Sequence, residues 1–295
     1  MTVAVSGANG FTGRFVCAEL QRRKIPFIAL LRPGSDASWM AARDIPVRFA
    51  DLTESHHLTQ QLCGCRALLN VASIGFGAAP PILQACHSAG VTRAVFVSTT
   101  AIFTQLNAGS KTVRHDAEAA ILASGLKTTI LRPTMIYGTP GDRNMIRLVQ
   151  WINRWPLLPV FGNGRSLQQP VHVTDVAWAV VQSLESPATI NCQFNLSGAE
   201  PLTYNEVVLL TVQALGRRIQ RLHIPSQSVV SLLDFTERLG ITLPIKAEQI
   251  RRLNENKAFC HAQAKEAFGY APIAFEEGIR KEVALFRSGR DGLSA

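Results

Sequence analysis

MTVAVSGANGFTGR, residues 1–14, runs an apolar stretch straight into three glycines spaced three apart. Val3, Ala4 and Val5 predict a short buried strand, and Gly7, Gly10 and Gly13 open a helix that carries Phe15, Val16, Ala18 and Leu20 at apolar positions. Each glycine has a separate physical use. Gly7 permits the tight turn, Gly10 has no Cβ to block a diphosphate, and Gly13 lets helix and strand pack closely, so that free helical N–H groups face the anion. The stretch therefore predicts a dinucleotide site, with Asn9, Phe11 and Arg14 beside the glycines.

Working outward, Phe27–Leu31 reads as a second strand ending in Arg32-Pro33-Gly34. A fold that prefers NAD places an acid about twenty residues after the glycines to hold the ribose hydroxyls. No acid stands there. Arg32 and Arg14 instead offer two guanidinium groups to a 2′-phosphate, which favours NADP over NAD. Strands follow at Val47–Ala50, leading into Asp51-Leu52, and at Ala67–Asn70, ending in Asn70-Val71-Ala72-Ser73. Gly75 and Gly77 allow close backbone approach, Pro80 and Pro81 start a helix, and Arg93–Ser98 is a fifth strand. This alternation predicts an α/β fold, a Rossmann-type doubly wound parallel sheet.

At 295 residues and 47% hydrophobic content the chain can bury a full core. The expected division is a dinucleotide-binding domain over 1–138, completed by segments around 165–198, with 139–295 mainly a small substrate-side lobe. No apolar run approaches the ~18–20 residues of a spanning helix, and the first residues read as a strand rather than a signal peptide. The expected location is cytoplasmic, with Cys17, Cys63, Cys65, Cys86, Cys192 and Cys260 reduced. No metal site is expected. Cys63-Gly64-Cys65 lacks a second ligand pair, and the adjacent His56 and His57 do not share a helix face.

The net charge of +9 suits an anionic ligand. Basic residues are spread in ones and twos, the longest run being Arg22-Arg23-Lys24, so neither nucleic acid nor a membrane is an expected partner. The segment WINRWPLLPVFGNG (151–164) leaves three readings open: an apolar wall over a substrate, plain core, or a membrane-touching loop. Thr203-Tyr204-Asn205-Glu206 predicts a capping box before a helix that ends at Gly216, and 226–253 reads as helical with a break at Gly240 and Pro244.

Four further stretches carry a resemblance: LRPTMIYG (131–138), FGNG (161–164), QPVHVTDVAWAV (169–180) and FGYAPIAFEEGI (268–279). With the GxxGxxG loop, they resemble in order the landmarks of extended short-chain dehydrogenases/reductases of the epimerase/dehydratase type. The resemblance implies that Asp51, with Leu52, meets the adenine and that the Asn70-Val71-Ala72 turn lies beneath the cofactor. It further implies that Ser98, Arg132 and Pro133 line the cofactor, with Thr99 as the hydroxyl residue of catalysis.

The family's Tyr and Lys, four residues apart on the helix after the fifth strand, are missing. Tyr137, Tyr204 and Tyr270 are followed four residues on by Gly141, Val208 and Ala274, and the family positions fall on Ser110 and Arg114. A serine hydroxyl is a weak acid and arginine keeps its proton. Tyr137 and His115 are the replacement candidates, with Lys111 nearby. Gln168 stands where sugar-nucleotide members carry an arginine, which removes the charge-assisted grip on a diphosphate. The QPVHVTDVA run also resembles the NADPH-holding accessory subunit of respiratory complex I, and the whole is similar to NmrA-like regulators. Two functions are thus expected: an NADP-dependent oxidoreductase or epimerase/dehydratase-like enzyme on a small substrate, or a non-catalytic NADPH-binding assembly subunit or redox sensor with a protein partner.

Overall fold

Along the chain, β1 (Val3–Ser6), α1 (Phe11–Arg22), β2 (Phe27–Leu31), the one-turn α2 (Ser38–Ala41) and β3 (Val47–Phe49) form one wing of a sheet. The other wing is built by α3 (Ser55–Leu62), β4 (Ala67–Asn70), α4 (Ala79–Ser88), β5 (Arg93–Val97), α5 (Gly109–Ala123) and β6 (Lys127–Pro133). The chain then leaves the sheet through β7 (Ile136–Tyr137), α6 (Met145–Arg154), β8 (Leu157–Phe161) and β9 (Leu167–Gln168). It returns by β10 (Val171–His172), α7 (Val173–Glu185) and β11 (Cys192–Leu196). Beyond these come β12 (Leu202–Thr203), α8 (Tyr204–Ala214), β13 (Gln220–Ile224), α9 (Ser226–Arg238), α10 (Ala247–Leu253), α11 (Ala262–Phe268) and α12 (Phe275–Ser288). The computed structural model describes residues 2–106, 109–238 and 247–293; the break expected at Gly240 and Pro244 lies outside them.

Seven strands pair in the order β3-β2-β1-β4-β5-β6-β11, every neighbour parallel. This is the doubly wound Rossmann order, and it reverses direction between β1 and β4. Both faces of the sheet are covered, which is why its strands read as continuous apolar runs. On one face, Val3 and Val5 pack with Phe15, Val16 and Leu20 of α1 and with Val176 and Val180 of α7. On the other, Ala4, Leu68 and Phe96 pack with Leu58, Ile82 and Ile121 of the helices opposite. The alternation follows from the period of two along a strand.

A separate core in the second half gathers Tyr137, Met145, Val149, Leu158, Phe275 and Ile279. The segment carrying Ala264, Phe268 and Tyr270 packs instead on the sheet's own core. α8 begins with the full capping box, Thr203 accepting from the Glu206 backbone and Glu206 accepting from the Thr203 N–H.

Candidate functional site

The groove is set by the turn from β1 into α1. Gly7 has φ +69°, and a Cβ there would lie 2.6 Å from the Ala72 backbone nitrogen, so the first turn sits against the end of β4. A Cβ on Gly13 would lie 2.0 Å from the Gly7 carbonyl oxygen. Gly10 differs from both, because its Cβ would meet only the Gly7 oxygen at 3.2 Å and would otherwise project into open space. No side chain caps α1, and its first turn carries no acid. Helical N–H donors are thus left over an open cradle, which fits the diphosphate of a dinucleotide.

Two cavities meet at Gly7 and Gly10. The smaller, about 400 Å³, is lined by Asn9, Arg32, Asp51, Leu52, Ala72 and Ser73. The larger, about 570 Å³, includes Phe11, Val71, Thr99, Met135, Gln168 and Lys257 in its walls. Arg32 is exposed at the end of β2. Asp51 accepts from the Thr53 N–H at 2.9 Å and hydroxyl at 2.7 Å, which hold its carboxyl below the usual range. The first acid after Arg32, Asp36, is turned to the Ser38 N–H and hydroxyl and lines neither cavity. Arg14 also stands outside both: its Nη2 donates to Asn9 Oδ1 at 2.7 Å, and its guanidinium lies 5.4 Å from the Trp39 ring centre.

Several residues expected along the cofactor brace the scaffold instead. Asn70 is fully buried, accepting from Ser6 Oγ at 2.6 Å and donating to the Ala72 carbonyl at 2.9 Å, so it fixes the turn from beneath. Ser98 donates to Glu118, and Arg132 pairs with the same carboxylate and with Gln193. This network locks α5 to β6 and β11. Pro133 offers its carbonyl to Thr100.

Among the residues expected to be catalytic, Thr99 lies in the larger cavity. It accepts from the Ala101 N–H at 3.2 Å and keeps its own proton to donate. Tyr137 does not join it, which corrects the expectation of an acid there. Its ring is sealed in the second core between His172 and Phe275, its hydroxyl faces the Phe275 carbonyl at 3.4 Å, and burial raises its pKa further from use. His115 is corrected likewise, being exposed on α5 with Nε2 at 3.2 Å from the Ile102 carbonyl and in neither cavity wall. Lys111 donates to the Thr104 carbonyl at 2.7 Å. The Ser110 side chain falls outside the described residues. The Arg114 guanidinium lies against Gly75, where a Cβ would come within 3.0 Å of it.

The far wall was not foreseen. Arg252, Glu255, Asn256 and Lys257 line the larger cavity, in a polar stretch whose sequence carries no motif. Glu255 accepts from the Thr104 hydroxyl at 2.8 Å and from the Gln105 N–H at 2.7 Å, which ties this wall to the loop between β5 and α5. Lys257 donates to the Arg252 carbonyl at 2.6 Å, and burial, aided by the Arg252 charge, lowers its pKa against the opposing pull of Glu255. Asp142 stands nearby in the same lining, accepting from the Asn144 N–H at 2.7 Å. Behind it Glu282 is completely buried, and burial together with Asp142 pushes its carboxyl up to about 10, so it is neutral at pH 7. Asp142 Oδ2 and both Glu282 carboxyl oxygens are buried without a hydrogen-bond partner among the described residues, and a protonated Glu282 could donate to Asp142.

A family model described as NAD(P)H-binding matches residues 7–187, from the first glycine to the end of α7. The chain belongs to this NAD(P)H-binding family. This NAD(P)H-binding protein is 22% identical to a 3β-hydroxysteroid-dehydrogenase/decarboxylase isoform of Arabidopsis thaliana, over 96% of its own length but only 61% of that relative's. It is 23% identical to a 2-alkyl-3-oxoalkanoate reductase of Stenotrophomonas maltophilia, covering 95% of this chain and 98% of the other. Likeness to subunit 9 of the NADH dehydrogenase alpha subcomplex of Dictyostelium discoideum is 24% over 76% of this chain and 67% of that one. Among solved structures, the UDP-glucose 4-epimerase of Thermotoga maritima superposes with a TM-score of 0.78 at 18% identity, covering 98% of this chain and 99% of its own. The chain thus belongs to the NAD(P)H-binding family and shares the fold of that epimerase. No described helix is long and apolar enough to cross a membrane, and the described residues hold no metal-binding cluster.

Proposed function

We propose that the chain is an NADPH-dependent reductase of small ketones or aldehydes that carry an apolar arm. The observation that carries this reading is a single groove that has Arg32 at one end, the open glycine cradle at its middle, and Thr99 with Lys257 at the other end. An arginine and no acid at the end of β2 supports a 2′-phosphate over free ribose hydroxyls. The bound cofactor supplies the hydride. Thr99 donates to the carbonyl oxygen, and Lys257, made a stronger acid by burial, delivers the proton that the missing tyrosine would have given.

Phe11, Val71, Phe103, Met135, Ile136 and Phe259 face the same cavity and suit an apolar arm. Gln168, buried with its amide 3.5 Å from the Glu255 carbonyl, offers no charge to a sugar diphosphate. The likeness to a reductase of 2-alkyl-3-oxoalkanoates supports the same substrate class. In this reading the lobe from about residue 139 covers the substrate side of the sheet, and six free cysteines support a reducing, cytoplasmic setting. One observation favours a second reading, a cofactor-holding subunit without turnover that assembles with a protein partner: α5 has Arg114 in the lysine position, and that side chain lies on Gly75.

The test is titration with NADPH and NADH, followed by NADPH oxidation in the presence of aliphatic ketones, aldehydes and quinones. NADPH should bind more tightly than NADH, with the difference lost in Arg32→Ala. Lys257→Met should cut turnover by about a hundredfold while leaving NADPH affinity in place. Tight binding with no turnover across the panel selects the second reading, and failure to bind either cofactor removes both.

A further inference from the structure

Residues 143–174 contain four arginines and no aspartate or glutamate, and residues 207–233 contain three arginines and again no acid. The parallel pair β8–β13 brings these two stretches together, with Leu157 beside Gln220, Leu158 beside Arg221 and Pro159 beside Leu222. On α6 the buried positions are Met145, Ile146, Val149 and Ile152, which turns Arg147, Trp151 and Arg154 outward. The resulting face is apolar as well as basic. Trp151, Trp155, Leu157 and Leu222 are 42%, 50%, 45% and 50% exposed.

The face is ordered rather than loose. Trp151 Nε1 donates to the Leu157 carbonyl at 2.9 Å, the Arg154 guanidinium lies 5.5 Å from the Trp155 ring centre, and Arg217 donates to the Asn153 carbonyl at 2.5 Å. A depression of about 620 Å³ lies between Arg147, Trp151, Arg154, Trp155 and Phe286. Among the described residues none of Arg147, Arg154, Arg217, Arg218 and Arg221 forms an ion pair.

We propose that this face docks on a membrane surface containing anionic phospholipid. Exposed tryptophan and leucine suit the boundary between headgroups and acyl chains, and unpaired arginines around them suit lipid phosphates. A second copy of the chain would set arginines against arginines. A nucleic acid would satisfy the charges but leave Leu157 and Leu222 in water. Basic residues scattered singly pointed away from a membrane, while 151–164 left a membrane-touching loop open; the fold sets Arg147, Arg154 and Arg217 beside Trp151 and Trp155. α6 starts at the groove, where Arg143 and Asn144 line the larger cavity, and runs ten residues to the tryptophan face. Docking would bring the groove's rim to within roughly 15 Å of the lipid, the length of that helix. The proposal stands whether or not the groove turns over a substrate.

The test is flotation of the full chain with vesicles of phosphatidylglycerol mixed with phosphatidylcholine, against phosphatidylcholine alone. Binding should require the anionic lipid and fall with salt. It should weaken more than about tenfold in an Arg147→Glu, Arg154→Glu double variant, whose exposed substitutions leave the thermal melt in place. Brominated lipid should quench the tryptophan fluorescence of the wild type, and the quenching should be lost in Trp151→Phe, Trp155→Phe. Failure to bind anionic vesicles, equal binding to neutral ones, or undiminished binding by the charge-reversed variant would each overturn the proposal. So would finding that the face instead holds two copies of the chain together in solution.

Discussion

Three helices of this protein begin in three different ways, and the contrast separates a binding site from a structural joint. α8 is closed by Thr203 and Glu206 in a reciprocal box. α7 is closed by His172, whose ring accepts from the Thr174 N–H, with Asp175 in the first turn. α1 is closed by nothing: glycine at the cap, no side-chain acceptor, no acid. A helix start leaves backbone donors unpaired, to be met by a side chain, water or a ligand. α3 and α4 also begin with no side-chain cap and no acid in the first turn; what sets α1 apart is that its uncapped start opens onto both cavities. The open one lies at the reversal of strand order, between Gly7 and the end of β4.

The comparison breaks most visibly at Gly10. Gly10→Asp supplies α1 with the cap it lacks, and its backbone already has the extended angles of a capping residue, φ −73° and ψ 167°. Thermal stability should hold or rise by roughly a few tenths of a kcal/mol, while NADPH affinity falls by roughly a hundredfold or more, since a carboxylate then occupies the anion cradle. Parallel loss of both would mean that the glycine serves folding alone.

The histidine start sharpens the contrast through pH. Burial, helped by the Lys281 charge, lowers the His172 pKa to about 4 from an ordinary value of 6.5, so the folded ring is neutral. Below 6.5 the unfolded chain takes up a proton that the folded chain refuses, and this part of the stability is lost as pH falls from 6.5 toward 4. The loss should be about 2 kcal/mol at pH 5 and approach roughly 3 kcal/mol at its limit. His172→Asn keeps a capping acceptor without the titration, and urea melts at pH 7 and pH 5 should show a smaller acid loss than in the wild type. The smallest effect is expected at α8. Thr203→Ala should cost about 1 kcal/mol in a thermal melt and leave NADPH affinity unchanged, because that start faces no ligand.

Legibility in the sequence followed the range of the interactions. The glycine loop, the strand at Phe27–Leu31 and the box at Thr203–Glu206 were readable because each depends on residues a few places apart. Tyr137 misled for the opposite reason. Its position in the Ile136–Tyr137 strand is local, but what seals it is Phe275, 138 residues away. Ser98 and Arg132 were placed along the cofactor, and only the fold reveals the shared Glu118 that draws both to the back of the sheet.

By itself the sequence determined the doubly wound sheet and the dinucleotide cradle, because apolar alternation and glycine backbone freedom act over a few residues. Tertiary structure decided what stands opposite that cradle. Thr104 and Glu255 are 151 residues apart in sequence and in hydrogen-bond contact in space, and Lys257 enters the groove through that connection. It likewise decided that two acid-free stretches, unremarkable when read singly, are brought together by the pairing of β8 with β13. A pattern along the chain fixes which side of an element is buried; which elements then meet is set by how those buried sides pack, and that is written in no single stretch.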